Sequence, residues 1–362
     1  MPTRSDILAR AARLRVVFEA AGGQIVDPPL LQSADTLLDL YGEDIRARAY
    51  VTSDALRGEQ MLRPDFTLPV VQMHMQDGAE PARYTYSGEV FRRQELDETR
   101  SNEYVQVGYE IFEREDPAAA DAEVFALVQL QLKNLPVRAA TGDMGILMAA
   151  VQGLQTTERR KAALMRHIWR PRRFRSLLDR FAGRTPVPPS REALLSTEGD
   201  ITGSAPEIGK RSRAEIDDRI EALRAHAAEP PLADNQLLAL EALLGVRETL
   251  PYAIEQMRDI AVDLPQVLPA LEALDARMAA LKARGVDVDN LDFEATYGRT
   301  SMEYYDGFVF GFYAEARPDL PPVASGGRYD ALTRLLGRGK EIPAVGGVIR
   351  PDLMLELEEA RT

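Results

Sequence analysis

Apolar side chains recur at helical spacing over Ile7, Leu8, Ala11, Leu14, Val17 and Phe18 and stop at Gly22-Gly23, so the chain opens with a predicted amphipathic helix. "QIVDPP" follows, a short strand stopped by two prolines. From about Tyr50 to Arg114 the pattern shortens to alternation. There "RYTYSGEVFRR" and "NEYVQVGYEIFERE" predict antiparallel strands joined by a long charged loop. "PAAADAEVFALVQLQLKNL" then predicts a helix with Asp121 near its start. The stretch 151–284 is different: rich in Ala, Leu and Arg at helical spacing and broken by the loop "GRTPVPPSREALLSTEGDITGSAPEIG", it predicts a helical insertion. After Gly285, "VDVDNLDFEATYG" and "DGFVFGFYAEA" predict returning strands, with Phe308, Phe310 and Phe312 on one face. The pattern predicts an α+β fold with a discontinuous core, 1–150 and 285–362, around an insertion at 151–284. No internal repeat or low-complexity segment interrupts it.

Composition narrows the function classes. The chain of 362 residues carries 44 Lys and Arg against 57 Asp and Glu, a net charge of −13 that repels polyanions and argues against a dedicated nucleic-acid binder. Cysteine is absent, which removes disulfides and thiolate metal sites. His74, His167 and His226 stand far apart without metal-ligand spacing, so no metal and no cofactor are expected. The opening "MPTRSDILARAARLRVVFEAAGG" has charges where a signal peptide needs an apolar stretch, and no run approaches ~18 apolar residues. A soluble cytoplasmic protein is the expectation. Against the acidic background, "ERRKAALMRHIWRPRRFRSLLDRFAGR" concentrates arginine; it reads as a solvated helical face or as a surface for a partner or phosphate.

Candidate chemistry lies in a few polar segments. "LRPDFT" puts Asp65 and Thr67 two residues apart, read as one face of a strand, and "YSGEVFRRQ" projects arginines at a strand end. "EYVQVGYE" sets Gln106 and Glu110 on one strand face, and "EYYDGFVF" and "GGRYD" place tyrosines beside glycines, where backbone approaches a ligand closely. Singly, each reads as a turn, half-buried packing or a solvated carboxylate. Together they outline a cup for a small zwitterion.

In this order the segments resemble the catalytic domain of histidyl-tRNA synthetase, a class II aminoacyl-tRNA synthetase, over the whole chain except the poorly matched insertion. The resemblance implies a class II synthetase-like antiparallel sheet flanked by helices. Carried over by position, Asp65, Thr67 and Gln106 meet the α-ammonium of histidine. Glu110 and Tyr305 meet the imidazole, and Tyr304 and Tyr329 close the pocket. These types suit the ligand, since ammonium needs acceptors and each imidazole nitrogen needs a partner. Asp65 is shorter than the family's usual glutamate.

The activating machinery departs from the family pattern. Arg92 matches the motif 2 arginine, but Gln94 stands where the family has glutamate, and Arg100 and Asn102 stand for two loop arginines. Leu353 occupies the motif 3 arginine position, with Arg350 three residues earlier before a proline, read as unable simply to substitute. Thr300 holds the family's catalytic arginine position, with Arg299 one residue out of register. Arg92, Gln94, Arg100 and Arg299 therefore read as remnants of a nucleotide site. A single phosphate-stabilising donor is worth ~3 kcal/mol or more, so these losses imply binding without activation. A synthetase continues past motif 3 into an anticodon-binding domain of roughly a hundred residues, whereas seven follow Leu355 here, so tRNA is not an expected partner.

A branch of the family fits this reading: the chain resembles the histidyl-tRNA synthetase-like regulatory subunits of ATP phosphoribosyltransferase. That resemblance implies a non-catalytic subunit of histidine biosynthesis with histidine as effector. Its partner is a short-form catalytic subunit in a hetero-octamer, four of each chain, built on a homodimer core through the region from about Ile7 to Leu31. Two alternatives stay open. One is a truncated synthetase-like enzyme activating histidine for another acceptor, which requires ATP and magnesium; the other is a paralogue serving only as an interaction scaffold.

Overall fold

The computed structural model describes residues 2–35, 49–93, 100–196, 209–299 and 304–360. Helix α1 (Arg4–Ala20) begins with a capping box, in which the Asp6 N–H donates to Thr3 Oγ1 and the Thr3 N–H donates to the Asp6 carboxylate. It leads to the short β1 (Gln24–Ile25). Strands β2 (Leu31–Ser33), β3 (Val51–Asp54) and β4 (Gly58–Leu62) form a small antiparallel sheet of their own, in the order β2-β4-β3. After α2 (Thr67–Asp77), the two alternating runs become β5 (Ala82–Phe91) and β6 (Glu103–Phe112), paired antiparallel with Tyr86 opposite Gly108 and Gly88 opposite Gln106. Helix α3 (Pro117–Leu132), strand β7 (Val137–Asp143) and helix α4 (Met144–Gly153) follow.

The expected helical insertion holds α5 (Glu158–Arg166), α6 (Pro171–Phe181), α7 (Pro189–Ser196), α8 (Arg213–Ala228), α9 (Asp234–Leu244), α10 (Leu250–Ile260) and α11 (Leu268–Ala283). It also holds a strand, β8 (Arg247–Thr249), which pairs with β9 (Asp292–Glu294) at one edge of the large sheet. The buried Val246 and Leu250 anchor this three-residue strand on either side. The chain then forms β10 (Phe308–Ala314), β11 (Ala324–Arg328), α12 (Asp330–Leu336), β12 (Ala344–Ile349) and α13 (Pro351–Glu359).

The large sheet has the order β1-β5-β6-β12-β11-β10-β7-β9-β8. Its centre is antiparallel, as expected for a class II synthetase-like core. The pairs β1 with β5 and β7 with β9 are parallel, so the sheet as a whole is mixed. Each parallel pair is joined by a long connection that includes helix, α2 between β1 and β5 and α4 to α11 between β7 and β9, as parallel pairing needs.

Strand alternation gives the sheet two unlike faces. Phe308, Phe310 and Phe312 share one face, as their spacing predicted, and meet Phe125 of α3 with ring centroids 6.2, 5.3 and 5.3 Å apart. The other face is floored by glycine. A Cβ at Gly346 would fall on the Glu110 carboxylate opposite it, and a Cβ at Gly108 would fall on the Tyr86 ring. Those two positions leave room for side chains that a fuller sheet would exclude.

A chain of buried charges holds the elements behind this sheet. Arg277 of α11 donates to Asp121 and to Asp143, each at 2.7 Å. Asp121 also accepts from Arg328 at 2.6 Å, and Arg328 donates to Asp330 at 3.1 Å. Asp121, expected near a helix start, is not the cap of α3. Asp116 fills that role by accepting from the Ala119 N–H at 2.9 Å. Among the described residues no helix is long and apolar enough to cross a membrane.

Truncating Arg277 leaves Asp121 and Asp143 buried with their shared cation gone, which costs ~3–5 kcal/mol. We therefore expect Arg277→Ala to lower the unfolding free energy by several kcal/mol in denaturant titrations. Arg247→Ala, which breaks only an exposed pair with Glu294, stays within about 1 kcal/mol of wild type. Equal losses from the two variants would contradict the structural role given to Arg277.

Candidate functional site

Glu110 is the centre of the glycine-floored face. It is 1 % exposed and, among the described residues, carries no cation in contact; three hydroxyls surround it instead. Thr67 donates to its Oε1 at 3.0 Å and Tyr86 at 2.8 Å, while Tyr329 donates to Oε2 at 2.5 Å. Burial pushes the Glu110 carboxyl up to about 7, against the pull of these three hydrogen bonds, and nearby Asp65 adds to the rise. The same burial raises the Tyr86 and Tyr329 hydroxyls well above the ordinary tyrosine range, so both stay protonated donors.

Four residues back on the same strand face, Gln106 is buried, and its Oε1 accepts no hydrogen bond among the described residues. An unpaired buried acceptor costs free energy until a donor reaches it. Gln106, Arg92, Tyr104 and Arg350 line a cavity of about 230 Å³. Asp65 lies buried close by, accepting from the Leu68 N–H at 3.3 Å, with Arg92 Nη2 3.7 Å from its carboxylate. Tyr305 and Tyr329 flank Tyr304, with ring centroids 4.8 and 6.1 Å from it and interplanar angles of 66° and 85°. The structure thus brings Thr67, Glu110 and Tyr329 into direct contact, with Asp65, Gln106, Tyr304 and Tyr305 buried around them.

Several placements differ from the sequence reading. Asp65 and Thr67 do not share a strand; Thr67 is the first residue of α2 and Asp65 precedes the helix, and Thr67 reaches Glu110 from there. Arg92 donates through Nε to the Pro64 carbonyl at 2.6 Å. Arg100 lines a separate cavity of about 470 Å³ with Arg317 and Arg350, its Nη2 3.9 Å from Asp319. Arg299 points elsewhere: its Nε donates to the Ile168 carbonyl at 2.8 Å and its guanidinium lies over the Phe174 ring of α6. Burial pulls the Arg299 pKa down to about 10. Gln94 and Thr300 lie outside the described residues. Leu353 is buried in α13, while Arg350 stacks on Tyr104 at 3.9 Å and lines both cavities, so the cation that β12 delivers is Arg350.

Two contributors escaped the sequence reading. Tyr86 sits inside the quoted alternating run, and only the β5–β6 register turns it toward Glu110. Asp306 follows the paired tyrosines; its carboxylate accepts from the Asp330 and Ala331 N–H groups at 2.9 and 2.6 Å and so pins the turn that carries Tyr329. Burial and the neighbouring Asp330 push the Asp306 carboxyl up to about 7.

Comparison with known proteins adds to this geometry. A family model described as histidyl-tRNA synthetase matches residues 3–217 and 207–353. The ATP phosphoribosyltransferase regulatory subunit of Mesorhizobium japonicum is 31% identical, over 97% of this chain and 98% of that protein. The protein of the same name from Rhizobium rhizogenes is 32% identical, over 94% and 95%. Among solved structures, an ATP phosphoribosyltransferase regulatory subunit/histidyl-tRNA synthetase from Bacillus halodurans superposes with a TM-score of 0.67 at 22% identity, covering 98% of this chain and 79% of that one. Histidyl-tRNA synthetase from Nostoc gives 0.64 at 16% identity, covering 98% and 72%. The class II synthetase fold is common to both.

The raised Glu110 pKa has a stability consequence. Its carboxyl titrates near 4.5 when exposed and near 7 when folded, so its contribution is fully present below about 4.5 and is lost as pH rises through about 7. The full change is on the order of 3 kcal/mol. In unfolding titrations between about pH 5 and 8, we expect Glu110→Gln, which cannot ionise, to gain stability relative to wild type as pH rises. A pH-independent difference between the two proteins would mean that Glu110 is not held in an apolar setting.

Proposed function

The chain belongs to the family of histidyl-tRNA synthetase-like regulatory subunits of ATP phosphoribosyltransferase, and from that premise we propose that it activates a short-form catalytic subunit and makes it sensitive to histidine. The observation that carries this reading is the Glu110 cluster: a buried carboxyl among hydroxyls, four residues from an acceptor with no donor among the described residues. Free histidine meets both needs. Its ammonium supplies donors for Gln106, Asp65 and Thr67, and its imidazole supplies an N–H for Glu110 with Tyr305 on the other side. Tyr304 and Tyr329 enclose the ring.

Entry of the imidazole competes for an acceptor that already serves Thr67, Tyr86 and Tyr329. The Tyr329 hydroxyl is the partner best placed to transmit that change, because Tyr329 stands between Arg328 and Asp330 of the buried charge chain. Regulation follows if the two arrangements of this turn differ in affinity for the catalytic subunit, since a ligand shifts an equilibrium only through unequal binding. The protein itself is read as non-catalytic: Leu353, packed in α13, fills the motif 3 arginine position, and Arg299, beside the catalytic arginine position, is held against α6. Exposed apolar residues at Val16, Ile25, Leu30 and Leu31 support a homodimer through the N-terminal region, the building block of a hetero-octamer. We propose no role for tRNA, metal or cofactor.

Calorimetry should show histidine binding to the wild type, alone or assembled. Glu110→Ala removes an imidazole partner and is expected to weaken it by ~1–3 kcal/mol, roughly five- to a hundredfold. Equal affinities would show that the pocket is misplaced. Adding this protein to the short catalytic subunit should raise phosphoribosyl transfer and make it histidine-inhibitable. A catalytic subunit equally active and equally inhibited alone would refute the assignment, and histidine-dependent exchange of pyrophosphate into ATP would favour the synthetase-like alternative.

A further inference from the structure

The region 158–191 holds eleven Lys and Arg against two Asp and Glu, in a chain whose net charge is −13. The structure accounts for some of these cations. Arg160 is buried and donates to the carbonyls of Pro230, His226 and Glu229. Lys161 pairs with Glu158, Arg175 with Asp179 and Glu241, and Arg184 with Glu241. Arg159, Arg166, Arg172, Arg173 and Arg180 are exposed and make no ion pair among the described residues.

These arginines crowd one another. Arg172, Arg173 and Arg180 line a shallow cavity of about 320 Å³ with His167, Ser176 and Leu177 and no acidic residue. Helix α6 starts there with Pro171 and has no acidic side chain in its first turn, so the positive end of its dipole adds to the same field. The crowding is felt by the titratable groups: burial and then Arg170, Arg173 and Arg166 hold the His167 pKa down, and burial and then Arg191, Arg219 and Arg160 lower that of Arg180. A solvated face would space or pair its charges; this one concentrates them and places the half-buried Trp169 and Leu177 among them. Arginine and tryptophan together are what protein interfaces enrich.

We propose that the exposed arginines of α5 and α6 form the face that docks an acidic surface of the catalytic subunit, an inference that rests on the regulatory assignment above. Extent favours a protein over a nucleic acid. The eleven-residue α6 is about 16 Å long, and a duplex crossing it would run onto a chain whose remaining surface is more acidic than its net charge indicates. A compact carboxylate cluster fits within one helix length. Arg299, five residues before Tyr304 in sequence, holds the Ile168 carbonyl and stacks on Phe174 within this arginine-bearing region.

The test measures binding of full-length protein to the short catalytic subunit from about 50 to about 300 mM salt, by light scattering and surface-immobilised titration. We expect wild-type affinity to fall with salt, and Arg172→Glu/Arg173→Glu/Arg180→Glu to bind at least roughly tenfold more weakly with a flatter salt dependence. A control reversing Arg138, Arg247 and Arg258, exposed arginines in surface pairs, should bind as wild type does. Unchanged histidine affinity in the triple variant would confirm its fold; should it not fold, the glutamine versions of the same three exposed positions replace it. If wild type binds and the triple variant binds equally well, the docking face is wrong while the regulatory assignment stands. If wild type fails to bind the catalytic subunit at every salt concentration, both fall. A short duplex RNA bound by the wild type more tightly than the catalytic subunit would overturn the choice of partner.

Discussion

The buried chain of charges from Asp143 through Arg277, Asp121 and Arg328 to Asp330 is the constraint on which the other elements depend. It joins the end of β7, α11, α3, the end of β11 and the start of α12, elements contributed by three distant stretches of chain. Removing such charges from water is costly, and their mutual attraction offsets that only when each guanidinium finds its carboxylates in good geometry. Register errors in β7 or β11 would strand a charge in the core. The pairing therefore selects one packing of α11 on α3 where apolar contact alone would tolerate several.

Tyr329 gives this constraint a functional meaning. Its neighbours on both sides are committed to the charge chain, while its own side chain crosses to the opposite face of the sheet and donates to Glu110. The polar site and the structural charges are thus neighbours in sequence but lie on different faces, a direct result of strand alternation. Among the described residues Glu110 itself is held by hydroxyls without a cation, a setting that favours its neutral form. On the proposed reading, a ligand bound at Glu110 would act on a turn that the rest of the core holds tightly.

Much of this was legible in the sequence because it rests on alternation. The β5 and β6 pair, the common face of Phe308, Phe310 and Phe312, and the shared side of Gln106 and Glu110 all follow from a period of two, which survives without knowledge of partners. What failed depended on contacts between remote segments. Thr67 reaches Glu110 from a helix start, where a strand was expected; Pro69 sits in the first helical turn, where its missing N–H costs no intrahelical bond, whereas it would interrupt a strand ladder. Asp121 was read by proximity to a helix start, but its role is set by Arg277 and Arg328, 156 and 207 residues away. Arg299 was read by register as out of line with the catalytic arginine position; what no local pattern encodes is where its guanidinium goes instead, the Ile168 carbonyl and the Phe174 ring.

The central claim is that Glu110 and Gln106 together receive histidine. Crystals grown with saturating histidine test it most directly. The account predicts difference density for one histidine per chain, an imidazole nitrogen within hydrogen-bonding distance of the Glu110 carboxyl, the ammonium against Gln106 Oε1, and at least one of the three hydroxyl contacts to Glu110 exchanged. Histidine bound anywhere else, with the Thr67, Tyr86 and Tyr329 contacts to Glu110 unaltered, would contradict it.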